Sequence, residues 1–279
     1  MRSGFVSFVG RPNVGKSTLL NAICGKKVSI VSDKPQTTRN RIRGVLTTPE
    51  TQLIFVDTPG IHKAVSALGE RVNATAIEST KDVDVVCLVI DATQTFGTGD
   101  KYVSNHIDMS KAVVILNKID RAEPAKILKQ LQALSSLGAA EYFPISAKTG
   151  DGVAELIAYL ATRMPEGELL YPAEMITETP DSVWIAELVR EQLLENTHEE
   201  LPYSIATRVT EYEPPRIRCE IVVERESQKG MVIGKNGAML KIVGTNVRRQ
   251  LPSGTFLELA VVVDKNWQQR PERVERLGY

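Results

Sequence analysis

The stretch GRPNVGKS at residues 10–17 matches the spacing G-x-x-x-x-G-K-S/T, which suits a chain of phosphates. Gly10 and Gly15 allow the intervening Arg11, Pro12, Asn13 and Val14 to bend so that backbone amides face phosphate oxygens. A helix expected to begin with Lys16, Ser17 and Thr18 turns its positive end toward the same oxygens. Lys16 is placed to reach the β- and γ-phosphates, and Ser17 to ligate Mg²⁺.

Further stretches supply what such a loop lacks. VDTPGIHK (56–63) puts Asp57 after an apolar run, where a carboxylate holds Mg²⁺ through water, and Gly60 where its amide can meet a γ-phosphate. Asn117-Lys118-Ile119-Asp120 follows the run AVVIL. The Asp120 carboxylate can accept from both N1–H and the exocyclic amine of guanine, a donor pair that adenine does not offer. A buried carboxylate left unpaired is costly, so discrimination on the order of 10⁴ is expected. Asn117 is expected to tie this loop to the phosphate loop, with the Lys118 stem over the base. Ser146-Ala147-Lys148 ends the next run, and the Ala147 amide can donate to guanine O6. Pro35-Gln36-Thr37-Thr38-Arg39 lies where a Thr can close over Mg²⁺.

One expected group is missing. Many hydrolases of this kind carry a Gln directly after the sensing Gly, to orient the attacking water. Here that position is Ile61, which has no group for the task. His62 is of the residue type most often used as a general base, yet it reads as an exposed loop residue, because these reactions rest mostly on positioning and electrostatics. Arg39, Arg41 and Arg43 read as a solvated loop.

These residues need a scaffold that gathers several loops at one edge. Residues 1–165 alternate strands and helices. The strands are GFVSFV (4–9), QLIFV (52–56), DVVCLVI (84–90), AVVIL (112–116) and EYFPI (141–145). Their near-continuous apolar character fits a parallel sheet covered on both faces, with Cys87 in the core. Helices are expected near 16–24, 66–80, 98–107, 124–136 and 151–163. That is an α/β layer fold, whose ligands bind at the carboxyl ends of the strands.

Residues 166–181 read as a linker, since MPEGELLYPAEMITETP holds three prolines and no clean period. SVWIAELVREQLLENT (182–197) reads as a helix with Ser182 as N-cap and Glu187, Arg190 and Glu191 on its polar face. The strands SIATRVTEY and RIRCEIVVER (204–212, 216–225) meet at Glu213-Pro214-Pro215. A short helix ending in VIG, a helix from 238 to 250 and the strand TFLELAVVV complete an α-β-β-α-α-β order. Gly234-Lys235-Asn236-Gly237 links the two helices. No acid occurs from Ser227 to Leu257, while Lys229, Lys235, Lys241, Arg248 and Arg249 are basic, a local electrostatic footprint for nucleic acid. Val232 and Ile233 are candidates to line an apolar groove for splayed bases.

GRPNVGKS, the Thr pair, DTPG, NKID and SAK together resemble the translation-factor-related GTPases. The G-x-x-G loop and its element order resemble a type II KH domain, in which such a loop clamps about four nucleotides of single-stranded RNA. Over essentially its whole length the chain resembles the Era family. The fold implied is an α/β P-loop G domain at 1–165, with a mostly parallel sheet and helices on both faces. After the linker 166–181, an α+β type II KH domain with a C-terminal tail spans 182–279. The resemblance implies a monomeric GTPase of low intrinsic rate that uses GTP, GDP and Mg²⁺. It implies binding to the 3′ end of 16S ribosomal RNA and a role in maturation of the 30S subunit. It favours Thr38 over Thr37 as the metal ligand. Some relatives with an Asn at the position of Asn13 hold K⁺ there, where the ion can act like an arginine finger. Lys16, Asn13, Thr38 and Gly60 are thus the catalytic candidates. The tail DKNWQQRPERVERLGY also resembles that of the family, although Gln268 and Gln269 stand where basic residues usually follow the Trp. Ile61 supports an alternative, a nucleotide-stabilised RNA-binding scaffold with negligible hydrolysis. NKID disfavours an ATPase or small-molecule kinase.

Composition sets outer limits. In 279 residues, 34 Lys plus Arg balance 34 Asp plus Glu, so any basic surface must be local. Cys24, Cys87 and Cys219 are isolated, which argues against a disulfide scaffold or zinc site and fits a reducing compartment. MRSGFVSFVG does not read as a signal peptide. The apolar runs are shorter than the ~20 residues of a spanning helix. A cytoplasmic protein is expected, and peripheral attachment to the inner face of the cell membrane is left open. His106 and His198 carry no signal.

Overall fold

The computed structural model describes residues 1–62, 66–197 and 199–279, so His198 lies outside the described residues. The chain divides into two compact units. One comprises Met1–Val31, Thr38–Ala64 and Arg71–Glu178; the other comprises Ser32–Thr37, Val65–Glu70 and Thr179–Tyr279.

From the N-terminus the elements are β1 (Arg2–Gly10), α1 (Lys16–Cys24), β2 (Ile42–Thr47), β3 (Thr51–Asp57), α2 (Ala67–Glu78) and β4 (Val85–Asp91). They continue with α3 (Thr98–Ser104), β5 (Val113–Asn117), α4 (Pro124–Leu134), β6 (Glu141–Pro144) and α5 (Val153–Arg163). Six strands form one sheet in the order β2-β3-β1-β4-β5-β6. All neighbours are parallel except β2 and β3.

The apolar runs become two cores because successive side chains point to opposite faces. On one face Phe8, Cys87, Val89 and Ile115 pack with Leu19 and Leu20 of α1 and Leu156 and Leu160 of α5. On the other, Val9, Leu88, Ile90 and Leu116 pack with Ala76 of α2, Val103 of α3 and Leu134 of α4. The Cys87 thiol is fully buried, and burial pushes its pKa up.

Two sequence expectations change here. The sheet has a sixth strand, β2, which the run IRGVLT did not announce. It carries Arg and Gly and pairs antiparallel through a tight turn, in which Thr48 N donates to Thr51 O at 2.8 Å. The arginines beside it are not one solvated loop. Arg39 is 2% exposed and Arg43 pairs with Glu178 at 2.8 Å, while Arg41 is exposed.

The segment after α5 lies along the free edge of β2. Val45 N donates to Ile176 O at 2.8 Å, and Gly44 bridges Thr177. The buried Gln52 side chain accepts from Leu170 N and Tyr171 N, at 2.7 and 2.9 Å, and donates to Tyr171 O at 2.9 Å. Covering an edge strand in this way blocks pairing with other chains.

The second unit contains α6 (Asp181–Asn196), α7 (Leu201–Ser204), β7 (Ala206–Glu213), β8 (Arg216–Val223), α8 (Glu226–Ile233), α9 (Ala238–Arg248), β9 (Phe256–Val263) and α10 (Pro271–Arg276). Its sheet runs β7-β8-β9, antiparallel then parallel. A parallel pair needs a crossover, and α8 and α9 supply it. Ile217, Cys219, Ile221 and Val223 of β8 pack with Leu188, Val189, Val243 and Val247. The tail folds back, with the fully buried Trp267 donating from its indole to Ser204 O at 3.0 Å.

Helix α6 corrects two further readings. Pro180, not Ser182, precedes its first turn, where Asp181 complements the positive helix end. Glu187, Arg190 and Glu191 are buried rather than solvated. Arg190 pairs with Glu187 at 2.5 Å and donates to the Thr37 carbonyl of the same unit.

Replacing Gln52 with Ala is expected to destabilise the protein by about 1–3 kcal/mol, because Leu170 N and Tyr171 N lose their acceptor. Urea unfolding measures the loss, and limited proteolysis should then cut first within residues 166–178.

Candidate nucleotide site and nucleic-acid interface

The phosphate loop connects β1 to α1, at the carboxyl edge of the sheet. Arg11 is held by Asp100 at 3.1 Å, Val14 is buried, and Asn13 takes a left-handed backbone. Lys16 folds over the loop, donating to the carbonyls of Gly10 (3.3 Å) and Arg11 (3.1 Å). Burial lowers its pKa to about 8, against the opposing pull of the Asp57 charge. Thr18 follows Ser17 in the first turn of α1.

Four side-chain oxygens from four segments converge beside Lys16. Ser17 Oγ donates to Asp57 Oδ2 at 2.6 Å and lies 2.9 Å from Thr38 Oγ1. Ser29 Oγ adds a bond to Asp57 Oδ2 at 3.0 Å. Burial raises the Asp57 pKa, while Lys16 and the hydroxyls of Ser17, Ser29 and Thr38 oppose the rise. The buried Asp57 Oδ1 has no hydrogen-bond partner among the described residues. An all-oxygen set with an unsatisfied carboxylate oxygen fits Mg²⁺, a hard cation that keeps water ligands. Thr37 is turned elsewhere: its hydroxyl donates to Lys34 O at 2.6 Å.

The DTPG loop is packed onto the phosphate loop. Thr58 Oγ1 donates to Phe8 O at 2.6 Å, and Ile61 N donates to Gly10 O at 3.1 Å. A Cβ on Gly60 would come within 2.6 Å of the Pro12 nitrogen, so no side chain fits there. Ile61 is 2% exposed and belongs to the core with Val9, Leu88 and Ile90. Its side chain is core, not chemistry. His62 is half-buried rather than exposed, its Nδ1 lying 3.0 Å from Gly60 O.

The loops expected to read a base are joined to the phosphate loop by one side chain. Asn117 Nδ2 donates to Val14 O, and Asn117 Oδ1 accepts from Ala147 N, both at 2.9 Å. Asp120 Oδ1 accepts from Ser146 Oγ at 2.7 Å, which fixes the carboxylate. Lys118 is stretched between Asn13 O (2.6 Å) and Asp91 Oδ2 (2.7 Å). The Ala147 amide, expected at guanine O6, donates in this structure to Asn117 Oδ1. The adjoining Lys148 amide makes no bond among the described residues.

Sequence reasoning missed Asp91, Ser29 and Thr58. Asp91 ends β4 as Asp57 ends β3, and that shared position at a strand end was the available signal. Hydrogen bonds from Lys118 and Thr93 hold the Asp91 carboxyl below its usual range, despite the raising effect of burial. Thr58 lay within the DTPG motif without a role assigned to it, and Ser29 carried no pattern.

In the second unit Gly234, Asn236 and Gly237 all have positive φ, which makes the sharp turn between α8 and α9. Lys235, Asn236, Lys241, Arg248 and Arg249 are exposed, and Lys229 and Ile233 are half-buried. Val232 is a correction. It is fully buried in the core with Val243 and Val247, because it lies on the sheet-facing side of α8, so it cannot line a groove for bases. Among the described residues no helix is long and apolar enough to cross a membrane.

Comparison with known proteins agrees with this geometry. The model of the 50S ribosome-binding GTPase family matches residues 5–118, and that of the KH domain matches residues 200–268. The chain is 44% identical over 295 aligned positions to GTPase Era of Mycobacterium tuberculosis (strain ATCC 25618 / H37Rv), covering 99% of this chain and 98% of that protein. GTPase Era of Mycobacterium bovis (strain BCG / Pasteur 1173P2) is similar to the same degree. A variant of Aquifex aeolicus Era bound to GDP and AlF₄⁻ superposes with a TM-score of 0.96 at 38% identity, over 100% of this chain and 99% of that one. Era in complex with MgGDPNP and nucleotides 1506–1542 of 16S ribosomal RNA superposes equally well, with TM-score 0.96, 39% identity and the same coverage. Alike end to end to these proteins, with the GTPase model matching its first unit and the KH model its second, the chain belongs to the Era family of GTPases.

Proposed function

We propose that this chain is a GTP-hydrolysing switch that binds the 3′ end of 16S ribosomal RNA and acts, as a monomer, in assembly of the 30S subunit. The observation that carries the nucleotide part is Asn117, whose one amide joins the phosphate loop to the base-reading loop. That link is useful only to a ligand spanning both. The RNA part rests on the G-x-x-G turn, the acid-free basic stretch, and the RNA bound by the full-length relative.

In this reading the loop amides and Lys16 bind the phosphates, and Asp120 and Ser146 read the base. Ser17 and Thr38 would hold Mg²⁺ directly and Asp57 through water. The metal supplies charge neutralisation across the β- and γ-phosphates. The Gly60 amide senses the γ-phosphate, and Thr38 closes with it. Ile61 is committed to the core, so water must be oriented by backbone, a cation or a partner, and the unassisted rate is low. Asn13 is the proposed K⁺ ligand.

The following outcomes are expected. Asp120→Ala should weaken GDP binding at least ~10²-fold, because two hydrogen bonds to a charge are lost; unchanged affinity in a fluorescent-nucleotide titration would refute guanine reading. Single-turnover hydrolysis should run faster in K⁺ than in Na⁺, and equal rates would remove Asn13 from this role. A rate no different from that of free GTP, even with 30S subunits present, would favour the scaffold. RNA from the 16S 3′ end should bind the GTP form more tightly than the GDP form. Lys241→Ala should weaken that binding and reduce the salt slope by about 1.

A further inference from the structure

We propose that Asn73 is a positioning residue for γ-phosphate sensing, acting through the backbone of His62; the inference rests on the GTPase reading above. Asn73 stands on α2, and its side chain grips the main chain of His62 at both polar atoms. Asn73 Oδ1 accepts from His62 N at 3.2 Å, and Asn73 Nδ2 donates to His62 O at 2.5 Å. One carboxamide thus does for residue 62 what a neighbouring strand does for a residue in a sheet.

The location gives the clamp its meaning. The loop from Thr58 to His62 has left β3 and has no strand partner among the described residues. It is fastened instead by Thr58 Oγ1 to Phe8 O, by Ile61 N to Gly10 O, and by Asn73 to His62. Gly60 lies between these anchors, and His62 Nδ1 closes back on its carbonyl. The Gly60 N–H itself donates to nothing among the described residues. A donor held from both sides and left without an internal acceptor is preorganised for an incoming anion. Gly60 also abuts the backbone of Pro12, so a shift of the loop moves the sensing amide against the phosphate loop. Thr58 and Ile61 anchor to β1, which the core holds rigid. Asn73 is the anchor on the far side, and it is a side chain that can be removed without touching either loop.

On the GTPase reading a triphosphate reaches Gly60 and a diphosphate does not. Removing the clamp should therefore change the discrimination between them and leave diphosphate binding alone. The test uses the full chain, titrated with fluorescent GDP and with a non-hydrolysable GTP analogue, alongside thermal unfolding and the steady-state kcat and KM for GTP. For Asn73→Ala the ratio of analogue to GDP affinity should fall about tenfold, as two hydrogen bonds of ordinary strength are lost. GDP affinity should stay within about twofold, while kcat should fall with the ratio. Asn73→Asp keeps the acceptor for His62 N but loses the donor, so its ratio should lie between those of Asn73→Ala and the natural protein. If the ratio is unchanged, or GDP and analogue affinities fall together with the melting temperature, Asn73 is a structural staple only and the inference is overturned. Should Asn73→Ala not accumulate folded, Asn73→Asp and Asn73→Ser carry the same comparison. If the natural protein itself binds neither nucleotide, the GTPase reading fails, which is a separate outcome.

Discussion

The hydrogen-bonded bridge made by Asn117 is the interaction on which the nucleotide site depends. Its amide nitrogen reaches the carbonyl of Val14 and its oxygen takes the amide of Ala147, each at 2.9 Å. Asn117 is buried at the end of a central strand, so both bonds form where water does not compete. Three loops that are far apart in the chain are thereby held in one frame. Lys118 repeats the link one residue later, from the outside, through Asn13 and Asp91. A ligand spanning both loops would meet a spacing already set, with little ordering left to be done on binding.

The second switch shows how one position can be withdrawn from chemistry. A side chain following Gly60 could face the γ-phosphate, but an isoleucine gains far more from the core formed with Val9, Leu88 and Ile90. Once Ile61 is buried its amide is drawn toward Gly10, and the loop becomes a strap across the phosphate loop rather than an arm over the nucleotide. The side chain at that position is thereby withdrawn into the core and offers no group that could orient water.

The second unit meets a different constraint. Strands β8 and β9 are parallel neighbours, so the chain must leave the sheet and return on the same side. The crossover is made of α8 and α9, and its sharp reversal at Gly234–Gly237 carries the exposed Lys235, with the exposed Lys241 following on α9. The same topological demand therefore produces both the fold and the basic turn. Val232 is sacrificed to the first purpose, packing under the turn rather than on the surface.

Much of this was legible in the chain itself. Residue types at motif spacing determined the phosphate loop, Asp57, the Asn117–Asp120 loop and the G-x-x-G turn, because phosphate and guanine chemistry admit few substitutes there. Apolar runs on both faces determined that the first sheet is mostly parallel and covered. Tertiary structure alone decided β2, the docking of residues 170–178 along its edge, the burial of Glu187, Arg190 and Val232, and the use of the Ala147 amide by Asn117. It alone revealed Asp91, Ser29 and Asn73 as supports. The physical reason is the same throughout. A motif records groups that must meet a ligand, whereas supporting groups need only meet a neighbour, and which neighbour is brought near depends on the packing of segments tens of residues away.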